Sequence, residues 1–278
     1  MEVYYQSGSY NKRINFDNMN YWLDPDELFS YEWSYDTFNN RISSFEKGLK
    51  TKKIQITVTG TLEKSWHKAM NELISAFEAD VRLLTPGRLY VNDWYFECYI
   101  IKSSKSLHND ENSSKYGDGV STNSFTIISP NGSMWKNEVT YMFGREFLID
   151  GLTYPMDYPY GYVNSNKLIT NTEYVPCDFE LTIYGACQSP AISVGLQTYE
   201  LEDCYLSTGE YIKINSLNKT VDKTKVNGTK VSVFRFRNRN FNIFEKIPVG
   251  KSQLAWQEGL VFDLTLIRER GEPLWIKT

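Results

Sequence analysis

The chain contains two histidines, His67 and His108, so a Ser-His-Asp or Cys-His centre would have to be built on one of them. His67 follows Trp66 one step off the apolar stripe of an amphipathic run, and His108 sits in a polar stretch. Both contexts favour a solvated imidazole over a catalytic base. The patterns G-x-S-x-G, H-E-x-x-H, G-x-x-x-x-G-K-[ST] and G-x-G-x-x-G are all missing. The four cysteines, Cys98, Cys177, Cys187 and Cys204, form no C-x-x-C, and with two histidines the usual zinc patterns are missing too. Cys177 and Cys187 could pair across a hairpin, but reduced thiols are the expected state. The densest acidic group is "LDPDEL" (Asp24, Asp26, Glu27). A paired-carboxylate glycosidase is one reading of it; an exposed turn with an Asp cap explains it equally well. "DEN" at Asp110–Asn112 lacks the spacing of a calcium loop. No catalytic residue, cofactor site or metal site is therefore predicted.

Two further constellations could bind rather than react. "RFRNRN" is the only basic run; read as an extended strand, it places Arg235, Arg237 and Arg239 on one face and Phe234, Phe236 and Asn238 on the other. A solvated edge or a subunit contact is its expected role. "YPMDYPYGY" sets Tyr154, Tyr158, Tyr160 and Tyr162 around Pro155, Asp157 and Pro159. The prolines exclude a helix or a central strand. The segment reads as a stiffened crossing whose tyrosines pack, with Asp157 capping a turn; an aromatic sugar platform is the alternative. Trp22, Trp33, Trp94, Trp135, Trp256 and Trp275 are scattered, and most are expected in a core.

The elements that carry these residues are mostly strands. "KKIQITVTG" alternates Ile54, Ile56 and Val58 with polar residues, the pattern of a half-buried strand. The period then changes: Trp66, Met70, Leu73, Ile74, Phe77 and Val81 share one face, predicting a helix near residues 64–83. Ser65 or Thr61 would cap it, and Pro86–Gly87 would end it. "RLYVNDWYFECYIIK" reads as a hairpin about Asn92–Asp93. Residues 103–124 are polar and aperiodic and read as a long exposed loop or hairpin tip. "FTIIS" resumes as a strand. The remainder reads as short strands with turn signals between them: "CDFELTIYGAC", "YIKIN", "KVSVFRF" after the turn pair Asn227–Gly228, and a last long strand in "GLVFDLTLIRER". That rhythm indicates a sandwich.

The bulk numbers agree with a folded, β-rich, two-domain chain of 278 residues: 41% hydrophobic, 15% aromatic and 23% charged, with twenty Tyr. The expected division is an N-terminal α+β domain at 1–135 and a C-terminal β-sandwich at 136–278. The net charge is −4, with acids exceeding bases in both halves, which argues against nucleic acid as a partner. The polar N-terminus predicts no signal peptide, and no apolar run is long enough to span a membrane.

One longer pattern is specific. "LFSYEWSYDTFNNRISSFEKGLKTKKIQITVTGT", "FEADVRLLTPGRLYVNDWYFECYIIKS", "YPMDYPYGYVNSN", "CDFELTIYGACQSPAI" and "GEYIKINSLNKTV" follow one another in order. Together they resemble the distal tail protein (Dit) family of long-tailed, non-contractile phages over residues 28–270. The resemblance implies a ring-forming N-terminal β-domain with one helix, then a galectin-like β-sandwich. It implies a non-enzymatic virion protein at the tail tip: a homohexamer joining the tail tube protein to the tail-associated baseplate hub protein and carrying receptor-binding proteins. It marks Pro86, Gly87 and the 154–162 segment as family-motif positions, the latter leading into the galectin-like domain. The runner-up reading is a carbohydrate-binding β-sandwich that recognises host wall glycan.

Overall fold

The computed structural model describes residues 2–24, 28–47, 51–61, 64–108, 119–130, 134–144 and 168–274. These residues form a mainly β protein with one α-helix. The chain divides into two compact units, Met1–Asn137 with Glu269–Thr278, and Glu138–Arg268.

The first unit contains β1 (Val3–Gln6), β2 (Arg13–Asn15), β3 (Tyr21–Asp24), β4 (Trp33–Phe38), β5 (Arg41–Lys47), β6 (Thr51–Thr59), α1 (Trp66–Arg82), β7 (Gly87–Val91), β8 (Trp94–His108) and β9 (Val120–Ile128). It also holds the start of β10 (Trp135–Phe143). The long strand β8 joins two antiparallel layers. Its first residues pair with β7, which pairs with β1 and through it β2; its remainder pairs with β9, which continues to β6 and β3. The predicted β7–β8 hairpin closes through Asn92–Asp93, with Val91 opposite Trp94 and Asn92 in the left-handed region at φ 52°. Ile54, Ile56 and Val58 of β6 alternate inward and join Leu73, Phe77, Phe96, Phe125 and Trp135 in one buried cluster.

The helix starts where its sequence signals put it. Ser65 is the N-cap, its hydroxyl accepting from the Lys68 N–H. Met70, Leu73 and Phe77 are buried as predicted, but the last buried position is Asp80 and not Val81, which is only half-buried. The polar stretch 103–124 is also more ordered than expected. β8 runs to His108 and β9 starts at Val120, so both arms of a hairpin lie within it. The inward positions of β9 include Ser121 and Asn123, which hid the strand period. Both are tied to residues far along the chain: the Trp66 Nε1–H donates to Ser121 Oγ at 2.9 Å, and Asn123 Nδ2 donates to the Ile56 carbonyl at 3.1 Å, while Asn123 Oδ1 meets no donor among the described residues.

The second unit holds the rest of β10 with β11 (Leu168–Asn171), β12 (Asp178–Tyr184), β13 (Cys187–Gln188), β14 (Ala191–Val194), β15 (Gln197–Glu200), β16 (Tyr205–Leu206), β17 (Tyr211–Asn215), β18 (Thr220–Thr224), β19 (Lys230–Ser232), β20 (Gly250–Trp256) and β21 (Val261–Arg270). One antiparallel sheet runs β19-β18-β17-β12-β21-β10 and another β11-β20-β14-β15. Phe179, Leu181, Ile183, Phe262 and Leu264 from the first sheet share a buried cluster with Ile169, Ile192, Val194, Tyr199 and Leu254 from the second. That is the two-layer packing of a sandwich. The strand before the Asn227–Gly228 turn is β18, with "YIKIN" one strand further in as β17.

The arginine run corrects the sequence expectation. β19 ends at Ser232, and Phe234–Phe236 forms a 3-10 turn in which the Phe236 and Arg237 N–H groups donate to the Val233 and Phe234 carbonyls. The Phe234 ring stacks on Phe244 at 5.5 Å, an anchor that alternation along a strand does not provide. Arg235, Arg237 and Arg239 are therefore not aligned along one strand face.

Candidate interaction surfaces

The Pro86–Gly87 pair lies at the best-defined polar centre of the first unit. Asp80, fully buried on the last turn of α1, faces the end of β1. Its Oδ2 accepts from the Tyr5 hydroxyl at 2.6 Å and the Gly8 N–H at 3.2 Å; its Oδ1 accepts from Ser7 Oγ at 2.7 Å and the Ser9 N–H at 2.8 Å. Burial, the nearby Cys98 and the bond to Asp80 hold the Tyr5 phenol protonated far above its usual range. A Cβ on Gly87 would lie 1.9 Å from the Tyr5 hydroxyl, and one on Gly8 would lie 2.2 Å from the Pro86 carbonyl. Both glycines therefore permit a close approach of two chain segments. The sequence marks Pro86 and Gly87 as a helix stop and, by resemblance, as family-motif positions, but it misses their partners Tyr5, Ser7 and Asp80. Nothing in hydropathy identifies a buried Asp; the constellation exists only in three dimensions.

Lys52 is one of two buried lysines among the described residues of the first unit, the other being Lys136. The Lys52 Nζ donates to the Leu28 carbonyl at 2.9 Å and lies 5.1 Å from the Phe96 ring centroid. Burial pushes its pKa down to about 8, with Glu272 opposing.

Strands β4 and β5 form a two-stranded hairpin of their own, closed by Asn39 and Asn40 with φ of 50° and 58°. Both positive values fit a type I′ turn. Tyr35 opposes Phe45, and Trp33 precedes Tyr35 by two residues on the same side. A bulge after Asp36 brings Ile42 opposite Thr37 on that face as well. These side chains are not buried: Trp33 is 42% exposed, Tyr35 60%, Ile42 55% and Phe45 62%. The sequence expectations placed no hairpin here, although a W-x-Y-x-T alternation followed by Asn39–Asn40 is a hairpin signal.

A groove of about 390 Å³ opens between α1 and the β8–β9 pair, walled by Ile74, Phe77, Ile100, Ile101 and Phe125. Ile101 is the extra residue where the β8–β9 register shifts, and it is 54% exposed. Glu78, Lys102 and Lys105 border the groove.

In the second unit, Arg235, Arg237 and Arg239 line one open concavity of about 360 Å³ together with Glu202 and Asp203. The Arg237 guanidinium lies 3.9 Å from the Phe234 centroid and donates to the Phe234 carbonyl at 3.2 Å; that of Arg235 lies 4.6 Å from Phe236. The structure thus brings the three arginines together, though by a turn and not by a strand face. The segment Tyr154–Tyr162, with Pro155, Asp157, Tyr158, Pro159 and Tyr160, lies outside the described residues, as do Asp26, Glu27, the 110–112 stretch and Trp275. His67 is exposed, its ring edge-on to Trp66 at 5.0 Å. All four cysteines are free thiols, and burial raises the pKa of Cys98 to about 12 and of Cys177 to about 11. Among the described residues no three His, Cys, Asp or Glu side chains cluster as a metal would require, and no helix is long and apolar enough to cross a membrane. Trp94 and Trp135 are buried, whereas Trp22 is exposed like Trp33.

This combination of a β-unit carrying one helix and a following sandwich is the fold of solved phage tail components. A chain of the phage P2 baseplate in its activated conformation with calcium superposes with a TM-score of 0.54 at 13% identity, covering 98% of this chain and 99% of that one. The same baseplate with strontium gives 0.52 at 12% identity, with the same coverage. The SPP1 Dit (gp 19.1) protein, described as a paradigm of the hub adsorption apparatus in phages infecting Gram-positive hosts, gives 0.53 at 8% identity, covering 97% and 98%. No protein-family model matches the chain, and the search of curated proteins returns no match. The chain therefore has, from end to end, the fold of phage baseplate and Dit hub proteins, and it is Dit-like in structure as its sequence segments suggested.

Proposed function

We propose that this chain is a structural protein of a phage tail tip, a distal tail protein whose six copies form a ring between the tail tube and the baseplate hub. The observation that carries this reading is the likeness of fold over both units and nearly the whole length of each compared chain. The first unit would form the ring. The second, read as a galectin-like sandwich, would face outward and carry receptor-binding or other baseplate proteins. No catalytic step is assigned. Exposed aromatic surface of the kind seen on β4 and β5 suits a subunit interface. Heterologous contacts between identical subunits give a ring when the rotation closes.

Mass photometry of the purified chain, with negative-stain imaging, tests the reading. A closed particle of six times the chain mass with an axial channel is the expected result. A protein that stays strictly monomeric well above micromolar concentration, and binds glycan in that state, would point instead to a carbohydrate-binding sandwich.

A further inference from the structure

The β4–β5 hairpin presents a problem of stability that the isolated chain does not solve. A lone two-stranded hairpin is marginal in water and needs a third layer on its apolar face. Here neither strand pairs with another sheet among the described residues. One face nevertheless carries Trp33, Tyr35, Ile42 and Phe45, each two-fifths or more exposed. At about 150–250 Å² for each aromatic side chain, the uncovered apolar area is on the order of 500 Å². That is as large as the largest patch of an ordinary monomer, and more than half of what one partner contributes to a standard interface.

The same chain offers a matching concavity. The groove between α1 and β8–β9 has a floor of Phe77, Ile100 and Phe125, sides that mix Ile74 with Glu78, Lys102, Ser103 and Lys105, and Ile101 turned out at its bulge. Charges of both signs flank each surface: Asp36 and Arg41 on the hairpin, Glu78 and Lys102 at the groove. An apolar projection and a separate, part-apolar groove on one molecule allow a head-to-tail contact, because each copy has one of each to offer.

We infer that the apolar face of the β4–β5 hairpin of one copy docks into the α1/β8–β9 groove of the next copy, and that this is the contact that propagates around the ring. The inference rests on the ring reading above and adds the residues that make it.

Two variants with complementary defects test it. Tyr35→Ser/Phe45→Ser removes the hairpin face and leaves the groove; Ile101→Glu spoils the groove and leaves the hairpin. Each should raise the concentration at which the ring dissociates by roughly 100-fold or more, as loss of buried hot-spot side chains does. Both should keep the far-UV circular dichroism of the folded chain apart from the small share contributed by β4–β5. Mixed one to one, the two variants should form a dimer and stop there, since only one intact hairpin and groove can meet. In the full chain, Phe45→Cys/Ile101→Cys should give a ladder of covalent oligomers on oxidation, which neither single cysteine variant gives. This crosslink also decides the matter if a serine or glutamate variant fails to fold. If wild type forms rings that both variants retain, or the crosslink ladder is missing, the docking inference fails and the ring stands. The inference also fails if both variants are folded monomers that do not dimerise on mixing. If wild type is monomeric, the ring reading falls and the docking with it.

Discussion

Replacing Asp80 by Asn tests whether the buried carboxylate fastens α1 to the N-terminal strand. Each oxygen accepts from one hydroxyl and one backbone N–H: Oδ1 from Ser7 and Ser9, Oδ2 from Tyr5 and Gly8. An amide keeps one acceptor and puts an NH₂ where the other was. The hydroxyl at that side can rotate and accept; the backbone N–H cannot, so one buried donor faces another. Losing a hydrogen bond to a charged group costs about 1.5–3 kcal/mol, and stranding the buried donor adds to it. The expected destabilisation is about 3 kcal/mol for Asp80→Asn and about 5 kcal/mol for Asp80→Ala, which strands all four donors. Native-state hydrogen exchange reads this within the first unit without requiring the whole chain to unfold in one step. Peptides from α1 and β1 should exchange roughly 100-fold faster in Asp80→Asn, since each factor of ten is about 1.4 kcal/mol. Tyr5→Phe and Ser7→Ala should each slow or speed exchange far less in the Asp80→Ala background than in wild type, because the partners act as one network. An Asp80→Asn protein whose α1 exchange stays within about threefold of wild type would refute the reasoning.

Two other perturbations follow from the same unit. Gly87→Ala places a Cβ against a Tyr5 ring that cannot retreat, being fixed by Asp80 and by Phe77 edge-on at 4.9 Å. A loss of about 3 kcal/mol is expected, as for an overpacked core, visible as a lower melting temperature; an unchanged one would mean the strand shifts freely. For Lys52 the sign is set by a folded pKa of about 8, below the ordinary 10.5. Between those values the unfolded chain binds more protons, so stability rises with pH across that window, and the penalty for carrying the charge is complete below it. The stability of wild type relative to Lys52→Met should therefore climb by up to about 3 kcal/mol from pH 8 to pH 10.5 in urea titrations. A difference independent of pH would show that the ammonium is solvated after all.

Where periodicity was plain, the sequence was read correctly. Ile54, Ile56 and Val58, or Phe179, Leu181 and Ile183, alternate without interruption and sit at zero to two per cent exposure. Ser65 caps the helix because its hydroxyl is the nearest acceptor for an orphan N–H. Reading failed where polar side chains face inward. Ser121 and Asn123 made β9 look like loop, and Asp80 was passed over in favour of Val81, because a hydropathy pattern cannot register a hydrogen bond to a residue far along the chain. It failed also at Arg235 to Arg239, where stacking of Phe234 on Phe244 outweighs alternation. The contacts among Tyr5, Asp80 and Gly87 could not be read in advance, since seventy-five residues separate the first two.

The two kinds of exception have different physical meanings. A buried polar residue such as Asp80 departs from the pattern but is compensated inside the chain, by donors that can be named and measured. The exposed face of β4–β5 departs from it in the opposite sense and has no compensation among the described residues: its strands have the alternation of a buried sheet without a layer to bury against. Natural sequences keep local and global preferences consistent except where another requirement intervenes. A folded chain can hold an unburied aromatic face only at a cost in solubility and in hairpin stability, and a second molecule removes both costs at once. The internal exceptions therefore explain how the first unit is held together. The external one is the feature that an assembled particle would account for and a free monomer would not.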